Sequence, residues 1–341
     1  MPLYSELGVI RDPLRLELDK TVSVRAQRIL GEPFMAAWDD PAVRELYVNP
    51  DGRVWADRAG TGRVATGLVL EEMAVLRFLA GIAAYRKETL TAETPALQGA
   101  MPDERFHGAR IQGYIPPRAP GPGFNLRKHN PKVCRLESYL ERGALGFAEY
   151  DLLLESVDAR RNVLVAGATR SGKTTFLGGL IAAISQRWPA DRLLVVEDTP
   201  EIRCTSADAV LYRTLPGEPM GPVIAREAMR LSPDRIVCGE FRDRAAYYCA
   251  DLWTSGHNGG AASMHAGSVE GALMRMNLLM LDGRRGSYAA LVAEAVDVVV
   301  VLARGDHGGR VVDLALLDGL DRRGRFQIRR PQLGANRRDV C

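Results

Sequence analysis

The stretch Asn162-Val163-Leu164-Val165-Ala166-Gly167-Ala168-Thr169-Arg170-Ser171-Gly172-Lys173-Thr174-Thr175 decides the fold. An unbroken apolar run leads into the spacing G-x-x-x-x-G-K-[ST], and helix-forming residues 175–186 follow. Strand, glycine loop and helix in that order are the context in which this spacing cradles phosphates. Glycines let the backbone amides wrap an anion, and the new helix points its partial positive end at it. Lys173 is expected to reach the β- and γ-phosphates of a nucleoside triphosphate, and the Thr174 hydroxyl to ligate Mg²⁺. Gly167, Ala168, Thr169, Arg170, Ser171, Gly172, Lys173, Thr174 and Thr175 are therefore the candidate nucleotide-binding residues, with ATP and Mg²⁺ as the implied ligands.

Further apolar runs lie downstream at 193–196, 236–238, 261–264 and 298–302. They are continuous rather than alternating, which suits strands buried on both faces of a parallel sheet. The first three end in Glu197-Asp198, Gly239-Glu240 and His265, as the run at 163–166 ends in the glycine loop. Open α/β sheets bind ligands at the carboxyl ends of their strands. The expectation is an α/β ATPase domain with a mostly parallel sheet over 150–330. Glu240 is placed to be a base or orienter for the attacking water; its plain alternative is a cap on the following helix. Glu197, with Asp198 and Glu201, could hold Mg²⁺ through water or polarise the nucleophile, or could be a solvated loop. His265 could sense the γ-phosphate or link it to a neighbouring strand; a structural histidine is the competing reading. His257 is the weaker of the two histidines.

The preceding part reads as a smaller α+β domain over 1–130. Residues 21–30 and 71–85 have helical character. Asn49-Pro50-Asp51-Gly52 is a turn between strand candidates at 45–48 and 53–56, and 110–115 alternates like a strand. Residues 115–131 hold Pro116, Pro117, Pro120, Pro122 and Pro131, and are read as loop, neither helix nor central strand. A linker is expected at 131–149 and a tail at 331–341. Arg105, Arg110 and Arg127 flank the proline-rich segment. Arginines supplied by a second domain often complete a phosphate site.

Composition excludes little but helps. The 341 residues carry a net charge of +3, too small to argue for nucleic acid, and aromatics make up only 6%. Direct nucleic-acid binding is therefore not indicated. The 5 cysteines are scattered without metal or redox spacing, and the expected compartment is the cytoplasm. No cleavable signal and no apolar run of about 20 residues is expected to place the chain in a membrane.

These residues together resemble the secretion traffic ATPases of type II and type IV systems, most of all the TrbB-type conjugal-transfer ATPases. The segment Arg44 to Trp55, with Asn49-Pro50-Asp51-Gly52, is similar to that family's first hairpin. The segments Gly108 to Gln112 and Phe124 to Lys128 are similar to its arginine-bearing arm and linker. Glu197-Asp198-Thr199-Pro200-Glu201-Ile202 resembles its Asp box, and Arg230 to Arg242 its Walker B region. Ser255 to Ala266 resembles its His box.

The resemblance implies a RecA-like fold for the ATPase domain and hydrolysis of ATP to ADP and phosphate. It implies Glu240 as catalytic glutamate, Glu197 as accessory acid, and Arg110 and Arg127 as γ-phosphate contacts. It also implies a homo-oligomeric ring, a hexamer in the family. That ring docks on secretion-channel proteins at the cytoplasmic face of the inner membrane. One departure stands out: the family has glycine where Arg170 stands. If φ is positive there, a non-glycine residue costs about 1 kcal/mol or more. The competing readings are a pilus-assembly or type II secretion ATPase, a P-loop phosphotransferase, and a RecA-like nucleic-acid-binding ATPase.

Overall fold

The computed structural model describes residues 13–128, 134–198, 201–214, 218–283, 285–305 and 308–331. The expected tail from residue 332 onward, residues 1–12, and Thr199 and Pro200 of the acidic segment lie outside the described residues. The chain divides into two compact units, Met1–His129 and Asn130–Cys341.

The first unit runs α1 (Pro13–Leu30), α2 (Glu32–Asp39), β1 (Val43–Val48), β2 (Arg53–Arg58), β3 (Gly62–Val69), α3 (Glu72–Tyr85), β4 (Ala96–Ala100), α4 (Asp103–Phe106), β5 (Arg110–Tyr114) and β6 (Gly123–Arg127). Its six-stranded sheet has the order β3-β2-β1-β6-β5-β4, and every pairing is antiparallel. α1, α2 and α3 pack on it through Leu30, Phe34, Trp38, Phe78 and Ile82 against Leu46, Ile111, Phe124 and Leu126. The Phe78 and Phe124 ring centroids lie 4.7 Å apart.

The reading of 115–131 as loop is corrected here: β6 lies inside that segment and is a central strand. Its prolines at 116, 117, 120 and 122 all precede Gly123. Residues 123–127 therefore keep every N–H and pair with β1 on one side and β5 on the other. Phe124 and Leu126 are fully buried.

The second unit runs α5 (Leu136–Glu141), α6 (Phe147–Asp158), β7 (Val163–Gly167), α7 (Lys173–Arg187), β8 (Leu193–Glu197), β9 (Ala209–Arg213), α8 (Met220–Glu227), β10 (Arg235–Cys238), α9 (Ala245–Thr254), β11 (Ala261–Met264), α10 (Val269–Leu281), α11 (Ala289–Ala295), β12 (Val298–Gly305), β13 (Gly308–Leu320) and β14 (Phe326–Arg329). The eight-stranded sheet has the order β14-β13-β12-β7-β11-β10-β8-β9. Pairing is parallel from β12 through to β9. β13 and β14 add an antiparallel edge.

Successive strand residues enter opposite cores. Val163, Val165, Val195, Val237 and Val300 face α5, α6 and α7. Leu164, Ala166, Val196, Cys238 and Val301 face α8 to α11. With both faces covered, every position selects an apolar side chain, hence the unbroken runs in the sequence. The stretch read as a linker belongs to this unit. Leu136, Tyr139 and Leu145 are buried in its core, and the Tyr139 ring meets Phe176 edge-on at 5.2 Å.

At the amino edge of this sheet the strands are tied by polar side chains. Asn162 accepts from Gly259 N (2.8 Å) and Gly260 N (3.0 Å) and donates to Ala295 O (2.8 Å). Arg235 is wholly buried; its Nε donates to Asp191 Oδ2 at 2.6 Å, and Arg160 takes Asp191 Oδ1 at 2.7 Å. His257 also sits at this edge, with Nδ1 2.7 Å from Pro233 O and Nε2 3.2 Å from Met229 Sδ. It is a structural histidine.

Candidate nucleotide site

The loop that follows β7 turns sharply, and its residues show why each is small or strained. A Cβ on Gly167 would lie 2.3 Å from Ser171 Oγ and 2.6 Å from Leu302 O. Gly172 has φ +88° and opens α7. Arg170 has φ +65°, so the position does require the left-handed region, and an L-residue there costs about 1–2 kcal/mol. Gly309 of β13 fits beneath the loop, because a Cβ on it would lie 2.1 Å from Ser171 O. Among the described residues the Ser171 hydroxyl is buried without a hydrogen-bond partner. Thr175 follows, half-buried, in the first turn of α7.

Lys173 is buried at the start of α7. Its Nζ donates to Gly167 O and Ala168 O, each at 3.1 Å, and lies 3.2 Å from His265 Nδ1. An ammonium has donors only. His265 Nδ1 therefore accepts, and the ring proton sits on Nε2, 2.7 Å from Glu240 Oε1. Burial, and then the Lys173 ammonium, hold the His265 pKa below its usual value, with Glu240 pulling the other way. The neutral ring is the consistent state.

Glu240, at the end of β10, also meets Arg242, whose Nε donates to Glu240 Oε2 at 2.7 Å; Arg242 in turn pairs with Asp198. An unbroken line of contacts thus runs Asp198, Arg242, Glu240, His265, Lys173. It joins the carboxyl ends of β8, β10 and β11 to the loop after β7.

Glu197 stands behind this line. It is buried, and its Oε2 accepts from Glu201 N and Ile202 N, each at 3.0 Å. Burial pushes its pKa up to about 7 despite those bonds. The carboxylate that reaches the loop is that of Glu201, which accepts from Thr174 Oγ1 at 3.2 Å. The sequence named Glu201 only in company with Glu197 and Asp198, and gave Arg242 no role of its own. Their signal was faint: charged residues just past a strand that already ended in a better candidate.

Arg110 and Arg127 lie in the first unit, brought together there as register partners on β5 and β6, with Glu45 of β1 opposite Arg127 on its other flank. Like charges directly opposite are unfavourable, and the flanking carboxylate offsets this. Arg105 is engaged elsewhere, paired with Asp39.

Residues 109–307 match the family model described as "Type II/IV secretion system protein". The chain belongs to that family. It is 33% identical over 315 residues to a probable conjugal transfer protein TrbB of Sinorhizobium fredii, covering 92% of this chain and 95% of that one. It is also 33% identical over 295 residues to the conjugal transfer protein TrbB of Rhizobium radiobacter, covering 86% and 90%. Among solved structures, the ATPase DotB of Yersinia pseudotuberculosis aligns with TM-score 0.59 at 17% identity, over 92% of this chain and 81% of that one, a likeness of fold.

Proposed function

We propose that this chain is the Mg-ATP-hydrolysing traffic ATPase of a conjugal-transfer or type IV secretion machine, with a RecA-like second unit. The observation that carries this is the line from the phosphate loop through Lys173 and His265 to Glu240. It sets a phosphate-binding cation beside a strand-end carboxylate, in a chain of the type II/IV secretion family.

Residues 167–175 bind the triphosphate, with the loop amides and Lys173 on its oxygens. The donor set suits Mg²⁺. Among the described residues no cluster forms an all-protein metal cage, and Mg²⁺ is ordinarily held by one or two oxygen ligands, waters and substrate phosphates. The Thr174 hydroxyl, with Glu201 or Glu240 through water, would supply such oxygens, and Glu197 anchors the Glu201 and Ile202 backbone N–H groups. The bound ion would neutralise charge on the β- and γ-oxygens. Glu240 takes a proton from the attacking water, and His265 links that carboxylate to Lys173. When Lys173 turns to phosphate, His265 loses the influence that, after burial, does most to hold its pKa down.

Arg110 and Arg127 are proposed as γ-phosphate contacts. The chain works as a homo-oligomeric ring, a hexamer, docked on channel proteins at the cytoplasmic face of the inner membrane. No described helix is long and apolar enough to cross a membrane.

Replacing Glu240 with Gln is expected to keep ATP binding and to slow phosphate release by about 10²–10⁴-fold, the range of general-base catalysis. Normal turnover in that variant would sink the assignment.

A further inference from the structure

The two oxygens of Glu240 are treated differently by the fold. Oε2 is taken by Arg242, through Nε at 2.7 Å and a second contact from the same guanidinium. Oε1 is buried, and His265 Nε2, 2.7 Å away, does not meet it in hydrogen-bonding geometry, so among the described residues it accepts no hydrogen bond. Arg242 is itself anchored. Its guanidinium spans to Asp198 beyond β8. The backbone beside it is fixed by Phe241, whose N–H donates to Ser263 O at 2.8 Å and whose buried ring faces Trp253 at 6.0 Å.

A guanidinium keeps its protons at any working pH, so an oxygen held by one is a poor proton acceptor. A carboxylate gripped at one oxygen also loses the freedom to rotate.

We infer that Arg242 is a positioning residue for Glu240: by clamping Oε2 and bracing on Asp198, it fixes the carboxylate and reserves Oε1 as the atom that receives the proton of the attacking water. This rests on the reading of Glu240 as base. The water's O–H bond breaks as its oxygen attacks the γ-phosphorus, the proton goes to Oε1, and ADP departs with the electron pair of the broken P–O bond. Arg242 keeps its protons throughout.

The test uses the full chain with Mg-ATP. Arg242→Ala is expected to lower kcat for phosphate release about tenfold to a hundredfold, the loss that goes with misplacing a reacting group. KM for ATP, affinity for ADP and thermal midpoint are expected to stay within error. Because Arg242 is about half exposed, millimolar guanidinium should restore part of the rate. Arg242→Lys, which keeps the charge but not the fork, should fall between. In a Glu240→Gln background, Arg242→Ala should add no further loss. Wild-type kcat in Arg242→Ala, or an equal additional loss in the Glu240→Gln background without guanidinium rescue, overturns the inference while leaving Glu240 as base. Wild-type turnover in Glu240→Gln alone overturns the reading of Glu240 and this inference with it.

Discussion

Two clusters of charge sit at opposite edges of the same parallel sheet, and an Arg–Asp ion pair belongs to each. At the amino edge Arg235, with none of its side chain exposed, is held by Asp191 and by Gly259 O at 3.0 Å. The Arg160 and Arg235 guanidinium groups lie over the Trp188 ring at 4.6 and 5.5 Å. At the carboxyl edge Asp198, Arg242 and His265 are 41%, 48% and 40% exposed. A buried ion cannot change partners without a large desolvation penalty, so the amino-edge cluster is structure. A half-exposed ion can trade a protein partner for a substrate oxygen, so the carboxyl-edge cluster is available for chemistry. Exposure separates Asp198, Arg242 and His265 from Arg235 and Asp191; Lys173, at 8%, and Glu240, at 14%, are covered too, and differ from the buried pair in lying at the carboxyl edge.

The sharpest way to break that contrast is to remove one ion from the buried cluster. Asp191→Ala leaves Arg235 without its carboxylate and is expected to destabilise the fold by about 3–5 kcal/mol, read from urea unfolding at unchanged slope. The milder Asp191→Asn keeps an acceptor and should remain folded, with phosphate release per folded molecule within about twofold of wild type. A stability loss below about 1 kcal/mol in Asp191→Ala would remove the distinction between the edges.

Glu197 lies between the two cases, buried yet at the carboxyl edge. Its folded pKa of about 7 stands above the ordinary 4.5. The stability tied to its protonated form is therefore complete below pH 4.5 and lost as pH rises through 7, for a total of about 3 kcal/mol. In nucleotide-free and metal-free buffer, Glu197→Gln should lack that part of the slope and be more stable than wild type at pH 8. Matching pH profiles for the two proteins would contradict the burial argument.

The smallest expected effect is at the loop. Arg170 holds φ +65°. Arg170→Gly should be more stable than Arg170→Ala by about 1 kcal/mol, because only glycine relieves the strain, less what its flexible unfolded chain takes back. Equal stability in the two variants would mean that the loop relaxes around the Cβ.

How much of this was legible in the sequence follows from burial. Val163, Leu164, Val165 and Ala166 announce a strand covered on both faces, and Gly167 to Thr174 announce the loop, because chemistry and packing there constrain every position. β3 was silent: its residues alternate between half-buried and exposed, so no apolar pattern marks it. β6 was hidden by prolines that precede it without entering it. In the site, Lys173, Glu240 and His265 could be named from their strand ends. The division of labour between Glu197 and Glu201 could not, because it depends on which carboxylate the backbone turns inward. Arg242 was equally hidden, since only the fold brings it against Asp198, 44 positions away.

The role of Glu240 as base is decided by phosphate release from Glu240→Gln, measured at saturating Mg-ATP on a sample whose ATP affinity and unfolding midpoint are determined alongside. Affinity is expected within about threefold of wild type, the midpoint unchanged, and release slower by about a hundredfold or more. Release at the wild-type rate from an ATP-saturated, fully folded variant would contradict that role.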